Sequence, residues 1–329
     1  MVEELTIGNF DEIGAMDRRN DRLVAATNTG RLGVWEIHGE TMSLFSEEQR
    51  PPELGAANLT VNDLAISPRS SGEVALATAD AILIYDIGKL AVQYALEGFS
   101  GDVATRVDWG GPNGNLIAAG WFGSIGQMWN TLSREELLQV GGSPGTSVAT
   151  SAVTFSPDGR TVAYGSTNGQ VTLWDTNSSE FIQSLEQHTG QVRSLEYSAD
   201  GSELVSGSTD TNAIIWEVET GNPIYILEGH ASFVTHSAWS PAGNLIATGD
   251  AQGVVILWDT QTGEAVIQLR TNTSAEPING LAWSEDGYSL ITASARRISM
   301  WRIDLTVEVD ESEEPPAEDV TVTPTEEGP

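Results

Sequence analysis

The chain has 329 residues, 40% of them hydrophobic, which is enough for a large core. Its 47 acidic residues outnumber 15 basic ones and give a formal charge of −32, which repels phosphate backbones and anionic lipid and so excludes nucleic acid and membrane surfaces as expected partners. With no cysteine there is no disulfide, thiolate metal site or thiol nucleophile, and with no apolar run of membrane-spanning or signal-peptide type the expectation is a soluble, cytoplasmic protein.

From the N-terminus onward, short β-rich runs alternate with turn signals. Glu3 to Ile7 and the stretch from Ile13 read as the first strands. Residues 41–60, TMSLFSEEQRPPELGAANLT, form the longest insertion between strand groups. In the middle of the chain, Val153–Phe155, Ser156-Pro-Asp-Gly159, Thr161–Tyr164 and Val171–Trp174 show the grammar: strand, tight turn, strand, strand. The tetrapeptides SPDG (156–159), SADG (198–201), SPAG (240–243) and SEDG (284–287) end on the glycine that a hairpin turn with positive φ requires. After Val309 the composition changes to eight carboxylates, no basic residue and four prolines. Residues 310–329 cannot bury enough apolar area to offset their ordering entropy, so they read as a disordered acidic tail.

An aromatic followed by a polar residue recurs at Trp35-Glu36, Tyr85-Asp86, Trp129-Asn130, Trp174-Asp175, Trp216-Glu217, Trp258-Asp259 and Trp301-Arg302, at spacings of 50, 44, 45, 42, 42 and 43 residues. That period and dipeptide define four-stranded propeller blades. On these residues the chain resembles the WD-repeat (WD40) β-propellers over 1–309. The resemblance implies an all-β fold of seven four-stranded antiparallel blades. It also implies a structural tetrad of His, Ser, Asp and Trp in each well-kept blade, matched here by His188, Ser206, Asp210 and Trp216 of blade five. Other blades depart from it: blade six keeps His230, Thr248 and Trp258 but has Gln252 where Asp is expected. Blade four has Asn168 there, blade two has Tyr85 for Trp, and blade three has Gly98-Phe99 for Gly-His. An unclosed ring would leave sheet edges exposed, so a strand from one terminus should complete the last blade. The N-terminal strand is the expected one, and Leu305–Val309 is the alternative.

Catalytic chemistry finds little support. Gly141-Gly142-Ser143-Pro144-Gly145 fits G-x-S-x-G, but Pro144 lacks the N–H that an oxyanion hole needs after the nucleophile, so the segment reads as a loop. His38, His188, His230 and His236 show no metal-ligand spacing, so no metal and no cofactor are expected. The innermost strands of blades three and five carry Asp108 and Glu196 where others have alanine, with Arg106 and Arg193 on the same strands. Two readings stay open for these channel carboxylates: a solvated or ion-paired lining, or a metal or acid–base site.

A partner surface has better candidates. In this fold the loops before the first strand and between the second and third share one rim, and rigidly held loops carry function. Trp121 and Phe122 stand there in blade three where other blades have small polar residues, with Phe233 in blade six. They either contact a partner or fold back over the blade whose tetrad is missing. Arg31, Arg296 and Arg297, from the blades that meet at the closure, would lie on the same rim and suit an acidic peptide. The expectation is a non-catalytic scaffold binding protein or peptide. An enzyme or small-ligand binder at the channel carboxylates, or a structural subunit of a larger assembly, are the alternatives.

Overall fold

The computed structural model describes residues 2–6, 12–38, 41–47, 60–70, 72–98, 102–122, 126–140, 148–271, 275–295 and 297–303. They form seven four-stranded antiparallel sheets and, among the described residues, no helix. Blade five is typical: Val192–Tyr197, Glu203–Ser208, Ala213–Glu217 and Pro223–Leu227 pair in sequence order from the channel outward. Innermost strands of successive blades touch all the way round, and Ile278–Trp283 of blade seven returns to Ile13–Arg19 of blade one.

Closure is N-terminal. Val2–Thr6 pairs antiparallel with Arg297–Arg302, Val2 opposite Trp301 and Thr6 opposite Arg297, as the outermost strand of blade seven. A ring made of both chain ends leaves no free seam between first and last blade. Leu305–Val309, the tail from 310, the 141–145 motif and most of the 41–60 insertion lie outside the described residues.

The tight turns follow the sequence: Gly159, Gly201, Gly243 and Gly287 have φ of 70, 75, 75 and 74°, a region costly for any residue with a Cβ. The core is divided rather than central. Seven clusters of buried side chains each lie between two neighbouring blades, from Ile13, Leu23 and Trp35 against Ile291 and Ile298 at the closure to Leu204 and Trp216 against Val171 and Leu185 between blades four and five. Each blade is therefore stabilised by its two neighbours, as in other repeat architectures.

Candidate functional site

The tetrad of blade five is complete. His188 is buried, and burial holds its imidazole below the ordinary value despite Asp210. The neutral ring then has one consistent arrangement: Trp216 Nε1–H donates to Ser206 Oγ (2.7 Å), the Ser206 hydroxyl donates to His188 Nε2 (2.8 Å), and His188 Nδ1–H donates to Asp210 Oδ2 (2.8 Å). Blade six corrects the sequence reading. Its carboxylate comes from Asp250 instead of position 252: His230 Nδ1 lies 3.1 Å from Asp250 Oδ2, and Thr248 Oγ1 takes the serine's place with His230 Nε2 and Trp258 Nε1 each at 2.7 Å. The acid sits two residues after Thr248 instead of four after it, so a search at fixed offset passes over it.

Trp121 is a second correction. It is 0% exposed and so touches no partner. Its ring fills the space over blade three where a tetrad histidine would stand, edge-on to Trp129 with centroids 6.4 Å apart. It also lies so close to Gly98 that a Cβ there would come within 2.2 Å of the indole. The glycine that precedes no histidine makes room for a tryptophan from the neighbouring hairpin. Phe122, the next residue and just past the strand's end, is 73% exposed. Phe233 is also exposed, at 54%, on the loop that enters blade six.

Among the described residues, the arginines of the closure do not form an open patch. Arg18 approaches Glu285 at 3.8 Å and Arg22 approaches Glu36 at 3.9 Å. Arg31 and Arg297 are half-buried and have partners of their own, and Arg296 lies outside the described residues.

The channel carboxylates are bound to the frame. Each accepts a hydrogen bond from a backbone N–H of the next blade: Asp17 from Ile66 (2.7 Å), Asp63 from Val107 (3.0 Å), Asp108 from Phe155 (2.7 Å) and Glu196 from Trp239 (3.0 Å). Sequence reasoning found the acids in blades three and five and missed Asp17 and Asp63, which do the same from blades one and two. Burial pushes Glu196 up to about 8 against the Trp239 bond, with Asp17 and Asp108 adding to it. Burial likewise lifts Asp17 and Asp63 to about 6. Among the described residues no three acidic or histidine side chains gather to hold a metal.

The channel's upper mouth, the end reached by the loops before the first strands, shares Asp63, Arg106, Arg193 and His236 with the channel cavity. Arg106, Arg193, His236, Asn62 and Asn279 surround a cavity of about 360 Å³ with Phe122 at its lip. Beside it, a cleft of about 600 Å³ runs over blades three to five, bordered by the same Arg106, Arg193 and Phe122 together with Thr150, Thr167 and Gln191. Burial, with Arg106 and Arg193 adding to it, pushes His236 down to about 3. It is neutral, and its Nδ1–H donates to the Ile278 carbonyl at 3.0 Å.

Seven radial four-stranded sheets around an open channel define a β-propeller. Residues 138–175, 179–217, 221–259 and 263–302 match the family model for the WD domain, G-beta repeat. The chain belongs to the WD-repeat β-propellers, a family whose fold generally serves as a scaffold for protein interaction. Each matched stretch begins on, or in the turn just before, the outermost strand of one blade and ends on the third strand of the next, so the four matches correspond to blades four to seven. No curated protein matches the sequence. Among the described residues no helix is long and apolar enough to cross a membrane.

Proposed function

We propose that this chain is a non-catalytic interaction scaffold whose protein or peptide partner docks on the upper rim, over the cleft between Phe122 and the channel mouth. The observation that carries the reading is Phe122. It is a large aromatic, mostly exposed, its N–H donating to the Val103 carbonyl at 2.8 Å, at the lip of a cleft large enough to receive side chains. Buried aromatic anchors surrounded by polar groups carry much of the energy of protein interfaces. Neighbouring Trp121 is fixed in the blade core, so Phe122 is presented at little entropic cost. The channel carboxylates support a scaffold in their own way, since their hydrogen bonds join blade to blade.

The test is affinity capture from the source cell with the full chain, the variant Phe122→Asp, and the variant Tyr288→Asp. Tyr288 is 64% exposed in the turn between first and second strands of blade seven, on the opposite rim. A protein retained by wild type and Tyr288→Asp but lost by Phe122→Asp supports the reading. Loss with Tyr288→Asp alone moves the interface to the other rim and overturns it.

A further inference from the structure

All seven innermost strands share one irregularity. The ladder to the second strand slips between the first and third residues, so the second residue is a β-bulge in every blade. A bulge re-aims its side chain, and here the aim is toward the next blade. Asn62, Thr105, Ser151, Thr235 and Asn279 each donate from this position to the backbone carbonyl of the residue that opens the next innermost strand, at 2.8, 3.1, 2.6, 2.8 and 2.8 Å. Gly14 has no side chain to donate. Arg193 is the one bulge residue with a long charged side chain. Its guanidinium turns to the channel mouth, where its buried Nε has no hydrogen-bond partner among the described residues.

Arg106 lines the same mouth, one of its terminal nitrogens donating to the Thr105 carbonyl at 2.8 Å. Asp63 is the only carboxylate among the described residues that border this cavity. At the mouth two guanidinium charges thus face Asp63 and a neutral His236, while Asp17, Asp108 and Glu196 line the channel cavity that the two arginines also border. Burial, with the like charge of Arg106 adding to it, weakens the hold of Arg193 on its proton, so the local imbalance is felt at the group. Asp63 supplies a counter-charge to Arg106, whereas Arg193 feels only the like charge of Arg106, and a half-buried cation with no counter-charge beside it is costly and is retained where a ligand supplies one.

We infer that Arg106 and Arg193 form a carboxylate-binding site at the upper mouth of the channel, which receives an acidic side chain of the docked partner while Phe122 packs against the partner's apolar surface. The inference rests on the scaffold reading and names the chemistry its site selects. The planar forks of two arginines suit the paired oxygens of a carboxylate. Binding there restores neutrality at the mouth and satisfies the orphaned Nε of Arg193.

The probe is N-acetylglutamate, titrated into the full chain while the arginine Nε–Hε NMR signals are followed, with inorganic phosphate and lysine amide in parallel. The expected result is a saturable shift of the Arg193 and Arg106 signals with N-acetylglutamate and none with lysine amide. The variant Arg193→Thr supplies the short hydroxyl that works in blades three and six. It should melt at or above the wild-type temperature and bind the probe about tenfold or more weakly, the size of one lost charge-assisted contact. A lower melting temperature for Arg193→Thr makes the residue structural and overturns the site, as do unmoved arginine signals or a response to phosphate alone. Partner capture that survives Arg193→Thr but not Phe122→Asp leaves the scaffold standing and removes this site. Probe binding with no partner captured keeps the site and removes the scaffold.

Discussion

Blades five and three follow one strand plan and close their upper hairpins by different chemistry. In blade five, four polar side chains form a continuous chain of donors and acceptors from Trp216 to Asp210 beneath the surface. In blade three the position of Ser206 is held by Ala119 and the histidine is absent, and an indole fills the volume instead. The first solution satisfies every polar atom and depends on geometry. The second depends on burial, and leaves the Trp121 Nε1–H without an acceptor among the described residues. Blade packing tolerates either, because what each hairpin needs is a filled and rigid interior. The two solutions differ in what they leave outside: blade five shows water small polar residues such as Thr209, whereas blade three shows Phe122.

The contrast can be broken most forcefully at Trp121. Replacing this fully buried side chain with alanine opens a cavity against Gly98 and Trp129 and should cost about 3–5 kcal/mol, read as a large drop in the denaturant midpoint. In blade five the corresponding change is Ser206→Ala, which leaves His188 Nε2 and Trp216 Nε1 without their shared partner. It should cost about 1–3 kcal/mol in the same assay. If the order of the two were reversed, hydrogen bonding rather than volume would be the stronger lock.

A smaller effect comes from Glu196, whose carboxyl is lifted to about 8 by burial. The folded chain binds a proton there that the unfolded chain, with an ordinary carboxyl, has released. That contribution to stability is complete below the ordinary value and is lost as pH rises through about 8. The melting temperature of the wild type should therefore rise between about pH 8.5 and 6.5, and Glu196→Gln, which can still accept from Trp239, should flatten the rise. Below about pH 6.5 the buried His188 and His230, held under their ordinary value, work in the opposite direction. An unchanged slope in the Gln variant would contradict the raised carboxyl. The smallest expected change is Phe122→Asp, within about 0.5 kcal/mol of wild type in stability while partner capture is lost.

The fold was legible because its signals are local and repeated: an aromatic–polar dipeptide at each third strand and a glycine with positive φ at the tight turns of blades four to seven. N-terminal closure was legible as well, since the run from Glu3 continues the β pattern. The site was legible only in part. Trp121 and Phe122 are adjacent aromatics, and nothing in the pair itself says which is core. The missing histidine after Gly98 was the available clue, since it leaves a hole that a ring can fill. Asp250 escaped because a carboxylate can reach the same histidine from two places in a hairpin. The bulge ring depends on a register slip that no propensity reports, so Arg193 looked like a companion to Glu196 instead of the one long charged side chain among short bulge residues.

The most direct test of a partner site at the upper mouth is site-specific photo-cross-linking in extract of the source cell, with a benzophenone amino acid at position 122 in one chain and at position 288 in another. The account predicts a discrete adduct from position 122, competed by unlabelled wild-type chain, and none from position 288. An adduct from 288 with none from 122 would contradict it.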